Sequence, residues 1–367
     1  MNTDTNHKDS RNYRFAIGCG GTGGHIVPAL ALAKELSRSG HRILFIGNRN
    51  SLEEKLVTAE NYEFKAINVQ KLYRKLSLAQ LLFPVRLFGA VISCLFIHQG
   101  YKPDAVVCTG GFVAGPVALG AILKRIPLFF HESNSLPGIT TRFLAKRTCV
   151  TYTAFAGTAK RLPGVRAKQL GIPVLRRIEA GFELQQLGLT GTRPVVVISG
   201  GSQGSLAINR AVDQILPQLL EKGFEVIWQT GRLGFEEYSR LHRETAGVYV
   251  FDFSPLLTEF YAVARLAVTR AGAMTIAELE AARLPAVLVP LPTAAENHQH
   301  YNALEQQQQG RALLLSQKEM NPSALLDAIF RLDADHGSYL DKLKAIPPNT
   351  AARDIAADIL RTLDKEN

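Results

Sequence analysis

Short apolar runs alternate with longer stretches of helical period along most of this chain. Residues 14–19 (RFAIGC) read as a strand, 28–39 as a helix and 42–47 (RILFIG) as a second strand, with further strands at 105–108 and 127–130. After a loop-like stretch at 157–173 the pattern restarts with strands at 195–199, 226–229, 248–251, 266–269 and 286–289, and it closes on a helix at 351–363. Strands alternating with helices predict parallel sheets with crossover helices. At 367 residues the chain exceeds a single core, so two domains are expected. The run Gln306–Gln309 reads as the solvated end of a helix stopped by Gly310.

Two strands end in glycine-dense loops, Gly18-Cys-Gly-Gly-Thr-Gly-Gly-His25 and Gly200-Gly-Ser-Gln-Gly-Ser205. A strand that turns through glycines into a helix aims backbone N–H groups and a positive helix end at one spot, which suits a phosphate or diphosphate. Two such loops predict an α/β chain of two Rossmann-like domains with a cleft between them. Gly18, Gly20 and Gly23 also match G-x-G-x-x-G, but a dinucleotide site needs an acid after the second strand, and here that strand ends Gly47-Asn48-Arg49. His25, where the loop becomes a helix, is either a polar cap or a general base. Thr275 and Glu278 have the spacing of a capping box; alternatively Glu278 accepts ribose hydroxyls while the 269–275 turn faces a diphosphate. The polar stretch Glu296-Asn-His-Gln-His-Tyr-Asn302 fits either a sugar site or a solvated helix start. His131-Glu132 lacks the second histidine of a zinc protease, and Asp333-Ala-Asp335 follows a helix rather than a strand, so neither reads as a metal site.

The four cysteines have no metal or disulfide spacing, and residues 1–12 lack the apolar core of a secretory signal. The net charge of +10 changes the picture more. Between Glu63 and Glu132 the only acid is Asp104, against eight lysines and arginines, a balance that attracts polyanions. The apolar stretch 76–97 inside that block favours an anionic membrane surface over nucleic acid. Leu78, Leu81, Val85, Phe88, Ile92 and Leu95 share one helical face; Phe83, Leu87, Ala90 and Cys94 form a second strip, expected to be the one that meets lipid. Pro84 and Arg86 argue for docking rather than spanning.

Taken together, the segments GGTGGHIVPALALAKEL (20–36), TGGFVAGP (109–116), HESNSLPG (131–138), GGSQGSLAIN (200–209), TRAGAMTIAELEAARLPAVLVPLP (269–292) and ENHQHYNA (296–303) resemble glycosyltransferase family 28, the N-acetylglucosaminyltransferases that convert lipid I into lipid II in peptidoglycan synthesis. The resemblance implies the glycosyltransferase B fold. It implies an acceptor- and membrane-binding domain over 12–171, joined by a returning helix at 350–367, and a UDP-sugar domain over 172–349. By motif match, His25 is the catalytic base, and Ser202, Gln203, Ser254, Ala273, Met274, Thr275, Glu278 and Gln299 contact the donor. Thr22, Gly23, Gly24 and Asn134 line the site from the other domain. The family's G-N-P-V-R appears here as Gly171-Ile-Pro-Val-Leu-Arg176, so Arg176 stands in for the family's arginine, displaced by a single residue. The implied partners are UDP-N-acetylglucosamine, lipid I and the cytoplasmic face of an anionic membrane, with no metal, no cofactor and no nucleic acid. A related transferase acting on another lipid such as diacylglycerol, and a non-catalytic nucleotide-sugar binder, are the alternatives.

Overall fold

The computed structural model describes residues 11–69, 83–175, 183–254 and 256–366. The chain forms two units: one takes the sequence up to Ser133, Pro137–Leu175 and the C-terminal segment from Thr350, and the other takes Asn134–Leu136 and Arg176–Asn349.

The first unit holds a seven-stranded sheet of β1 (Arg14–Gly18), β2 (Arg42–Asn48), β3 (Glu63–Ile67), β4 (Ala105–Cys108), β5 (Leu128–Glu132), β6 (Val150–Thr153) and β7 (Ala167–Gln169). Their order is β3-β2-β1-β4-β5-β6-β7, with every pairing parallel. The sheet is apolar on both sides, as a fully covered parallel sheet must be. Phe15, Ile17, Phe45 and Tyr152 face helices Gly23–Arg38 and Ala351–Glu366, whereas Ala16, Leu44, Val106 and Cys108 face helices Phe83–Tyr101 and Ala114–Leu123. The stretch expected to be loop-like contains β7 and a short helix, Ala156–Lys160. The C-terminal helix is fixed by buried and half-buried polar bonds as well as by its apolar face. Tyr152 Oη donates to Asp358 at 3.0 Å, Lys168 Nζ to the same carboxylate at 2.6 Å, and Tyr13 Oη to Asp364 at 2.6 Å.

Helix Phe83–Tyr101 is long and apolar enough to cross a membrane, yet it is the crossover between β3 and β4 and packs on the sheet. Its inward side is the second strip, Ala90 and Cys94 with Val91 and His98, while Val85 (66% exposed), Phe88 (68%), Ile92 and Phe96 (74%) face outward. The expected assignment of the strips is therefore reversed. Small residues decide it: a Cβ at Gly120 of the neighbouring helix would sit 3.0 Å from Cys94 Cβ, so only the Ala90–Cys94 side permits this close approach. Leu78 and Leu81 lie outside the described residues.

The second unit repeats the design with β8 (Val195–Ser199), β9 (Glu225–Gln229), β10 (Val248–Phe251), β11 (Leu266–Thr269), β12 (Ala286–Leu288) and β13 (Ala312–Leu314). The order is β10-β9-β8-β11-β12-β13, again all parallel. Trp228 is fully buried at its centre, its indole N–H held 3.2 Å from Asn209 Oδ1. Gln306 is buried rather than solvated, because its amide donates to Glu280 at 3.0 Å; the helix does end before Gly310, which takes a positive φ of 65°.

Candidate functional site

In each sheet the chain order reverses between two neighbouring strands, β1 and β4 in the first unit and β8 and β11 in the second. Loops leaving the carboxyl ends of such strands diverge and open a crevice where ligands bind. Both glycine-dense loops follow a strand at this switch point.

In the first unit, Thr22 is the extended N-cap and the helix begins at Gly23, five residues before the expected start at 28. Thr22, Gly23 and Gly24 thus form the loop-to-helix junction, and His25 falls in the first turn. Two bonds clamp it to the end of β4: Thr109 Oγ1 donates to the His25 carbonyl at 2.7 Å, and His25 Nδ1 lies 3.0 Å from the Thr109 carbonyl. A carbonyl only accepts, so Nδ1 carries the hydrogen and the neutral ring has its lone pair on Nε2. The close approach requires glycines. A Cβ on Gly110 (φ +107°) would sit 2.7 Å from His25 Nδ1, and one on Gly111 (φ +79°) would sit 1.9 Å from the Gly20 carbonyl. Beneath the loop the buried Glu53 carboxylate accepts from the Gly21 and Asn48 amides at 3.4 and 3.2 Å.

His131 and Glu132 end β5 and serve the loop that follows. His131 Nε2 bonds the Gly171 carbonyl at 2.9 Å, with burial pulling its pKa down, and Glu132 accepts from Gly138 N at 3.0 Å and Thr141 Oγ1 at 2.7 Å. Asp333 pairs with Arg265, and no cluster of potential metal ligands occurs among the described residues.

In the second unit, the 200–205 loop leaves β8 and delivers helix Leu206–Glu221, whose N-cap Ser205 accepts from Ile208 N at 3.3 Å. Gly204 (φ +82°) lies against Gly231, where a Cβ would approach the Thr230 carbonyl to 2.1 Å; Ser202 and Gln203 project outward from the same loop. Arg270, just beyond β11, ties the parts together. Its guanidinium donates to Ser205 Oγ (2.6 Å), Gln317 Oε1 (2.7 Å) and the Val289 and Pro290 carbonyls (3.1 and 3.2 Å). All four acceptors are neutral, and Arg270 has no carboxylate partner among the described residues. Desolvation lowers its pKa to about 10, so it still carries a full charge at neutral pH.

Helix Ala273–Ala282 begins after N-cap Gly272 and brings Ala273, Met274, Thr275 and Glu278 to the mouth of β11. Its cap residue is Gly272, with no side-chain cap bond, so the Thr275–Glu278 capping box does not form. Glu278 makes no hydrogen bond or ion pair among the described residues, and desolvation pushes its carboxyl up to about 7. Gln299 Oε1 accepts from Leu291 N at 2.9 Å, which leaves its amide NH₂ to donate elsewhere. Ser254 Oγ accepts from Leu256 N at 3.0 Å and caps its own loop. Asn134, on the short 134–136 segment, accepts from fully buried Asn302 at 3.3 Å; Asn302 also donates to the Ala271 carbonyl at 3.2 Å and accepts from Ser135 N at 2.9 Å. Arg176 lies outside the described residues.

Motif spacing does not give the role of Arg270, the pairing of Asn302 with Asn134 and Ser135, or the Thr109–His25 clamp. An arginine directly after a buried strand at a switch point was a usable signal. The other two are long-range pairings that no local pattern carries.

Models of known families match the chain twice: the glycosyltransferase family 28 N-terminal domain over residues 15–153 and the family 28 C-terminal domain over 195–359. A protein of Lactococcus lactis subsp. cremoris (strain MG1363) is 34% identical over 350 residues, covering 93% of this chain and 97% of its own. One from Bacillus subtilis (strain 168) is 36% identical over 327 residues, covering 87% and 90%. Both are named UDP-N-acetylglucosamine–N-acetylmuramyl-(pentapeptide) pyrophosphoryl-undecaprenol N-acetylglucosamine transferase. Among solved structures, that of Acinetobacter baumannii MurG superposes with a TM-score of 0.76 at 27% identity, covering 95% of this chain and 99% of that one. A kitacinnamycin glycotransferase shares the fold at a TM-score of 0.74 and 18% identity.

Proposed function

The chain belongs to glycosyltransferase family 28, with the two Rossmann-like domains of the glycosyltransferase B fold, and from that premise we propose that it transfers N-acetylglucosamine from UDP-N-acetylglucosamine to lipid I, giving lipid II for peptidoglycan synthesis. The observation that carries the reading is the paired switch-point loops. One presents an imidazole with a fixed tautomer; the other presents a glycine loop beside the Arg270 guanidinium and the Glu278 carboxyl, neither of which has an ion-pair partner among the described residues.

The reaction is a single displacement. The C4 hydroxyl of the N-acetylmuramyl unit attacks the anomeric carbon opposite the UDP leaving group, inverting α to β. His25 Nε2 takes the hydroxyl proton while the Thr109 carbonyl holds Nδ1–H, so the ring enters the reaction in the accepting tautomer. The charge that gathers on the departing diphosphate meets the amides of the 200–205 loop, the positive end of the following helix and Arg270. Glu278 accepts the ribose hydroxyls. Met274 and Thr275 flank it, Gln299 donates to the sugar, and Ser202, Gln203, Ser254 and Arg176 complete the donor site. Thr22, Gly23, Gly24 and Asn134 also contact the donor, with Asn134 held by Asn302 in the second unit.

The lipid acceptor calls for a membrane-facing surface, and exposed apolar side chains of the first unit support that reading. Val85, Phe88, Ile92 and Phe96 lie outward on one helix, with Leu123 (63% exposed) and Phe143 (78%) on the two that follow it across the same sheet face. Arg86, Lys124, Arg125, Arg142, Lys146 and Arg147 supply positive charge on and beside these helices. Apolar side chains with flanking cations bind anionic bilayers peripherally. On this reading the protein works on the cytoplasmic face of the membrane, in wall growth, cell shape and division.

The test is UDP release from UDP-N-acetylglucosamine with lipid I or with diacylglycerol as acceptor. Release with lipid I alone supports the reading. Release with diacylglycerol alone would assign the related lipid glycosyltransferase, and UDP binding with no release would leave a nucleotide-sugar binder.

A further inference from the structure

On the first unit, β7 and the C-terminal helix flank a solvent-open cavity of about 400 Å³ lined by Arg166, Lys168, Asp358, Arg361, Thr362 and Lys365. Four cations face a single carboxylate there. Asp358 is already committed: it is buried, and it accepts from Tyr152 Oη at 3.0 Å and Lys168 Nζ at 2.6 Å, with Arg361 at 3.4 Å. Arg166 and Lys365 make no ion pair among the described residues. The wall is therefore built, with Lys168 held in place by a buried partner, and it carries an excess of three positive charges. Thr362 completes the lining with its hydroxyl donated to the Asp358 carbonyl at 2.8 Å, so the guanidinium and ammonium groups are what suit phosphate oxygens.

The location separates this cavity from the chemistry described above. Arg166 immediately precedes β7, and Asp364, near the end of the same helix, bonds Tyr13 just before β1, so the cavity lies towards the amino ends of the strands. His25 and the glycine loop leave the carboxyl ends. The cavity is also on the sheet face covered by helices Gly23–Arg38 and Ala351–Glu366, opposite to the helix that exposes Phe88 and Phe96. A bilayer that engages those aromatics does not meet it.

We propose that this cavity is a second anion site, which binds a soluble di- or polyphosphate group away from both the transfer site and the membrane. The shared chemistry, a phosphoryl group of two or more charges, also occurs on anionic lipid headgroups, and the position on the far sheet face favours the soluble source.

The experiment titrates inorganic pyrophosphate into the full-length protein by calorimetry, with saturating UDP present so that the donor loop is occupied. It is repeated with the double variant Arg166→Ala/Arg361→Ala. Both side chains are exposed, and neither belongs to the transfer site, so UDP release with lipid I should be unchanged. The double variant is expected to bind pyrophosphate at least tenfold more weakly. Equal affinity in the two proteins, or no binding to the parent, would overturn the site. A second arm places Phe88→Asp/Phe96→Asp on vesicles of phosphatidylglycerol. If its residual binding falls when Arg166→Ala/Arg361→Ala is added, the cavity takes a lipid headgroup and the soluble assignment is wrong; if it does not, the assignment stands.

Discussion

Replacing Glu278 by glutamine should strengthen the fold and weaken the function. The carboxyl is pushed from its ordinary 4.5 up to about 7 by desolvation. At about 1.36 kcal/mol per pH unit, ionising it inside the fold costs about 3 kcal/mol. The sign follows from proton binding. Between about 4.5 and 7 the folded state holds a proton that the unfolded state has lost, so the stability present at low pH drains away as pH rises through 7. Glu278→Gln is neutral at every pH and escapes this loss. Scanning fluorimetry should show no difference near pH 4.5 and a higher melting temperature for the variant at pH 8, by roughly 2–4 °C per kcal/mol in a domain of this size. Donor binding moves the other way. Ribose hydroxyls prefer the ionised acceptor: losing both charge-assisted bonds in Glu278→Ala costs about 2–3 kcal/mol, roughly a 30- to 150-fold drop in affinity, and Glu278→Gln, which keeps an acceptor oxygen, loses less. The parent's affinity for UDP-N-acetylglucosamine should rise from pH 6 to 8, and that of Glu278→Gln should stay flat. A variant that binds the donor normally, or a parent whose affinity ignores pH, would refute the ribose assignment.

Three further outcomes are expected. His25→Ala should lower kcat by about 10²–10⁴-fold with little change in donor affinity, and His25→Asn should recover activity only if orientation rather than proton transfer is the role; a near-normal kcat would leave His25 a helix cap. Gly110→Ala places a Cβ 2.7 Å from His25 Nδ1 at a φ of +107°, so it should reproduce the kcat loss without touching UDP binding, and unchanged turnover would show that the clamp does not matter. Phe88→Asp with Phe96→Asp should weaken co-sedimentation with anionic vesicles, whereas Leu87→Asp on the inward-turned strip should mainly destabilise the protein; retention in membranes after carbonate extraction would instead indicate a span.

Much of the fold is legible in the sequence. Strands such as VVVIS (195–199) and LAVT (266–269) are buried on both faces, and a continuous apolar run bounded by turn residues has few other readings. The edge strand β7 (AKQ) escapes notice because one of its three residues, Lys168, serves a polar bond to Asp358 rather than a core. The helix start at Gly23 is hidden by two glycines of poor helix propensity, which packing of Thr109–Gly111 against the loop overrides. For helix Phe83–Tyr101 the period is clear but the inward side is not, since both strips are apolar and the choice rests on Gly120 of another helix. At the site, the loops and Glu278 can be found from motif spacing. Arg270's role cannot, because its four acceptors are spread from residue 205 to residue 317.

The central claim is inverting transfer of N-acetylglucosamine to the muramyl C4 hydroxyl, and the most direct measurement is the structure of the product. Purified protein, lipid I in anionic vesicles and UDP-N-acetylglucosamine labelled with ¹³C in the sugar should yield a lipid whose new anomeric carbon is β-linked and correlates by NMR with C4 of the muramyl ring. An α-linkage, attachment at another hydroxyl, or label remaining on UDP or in free sugar would contradict the account.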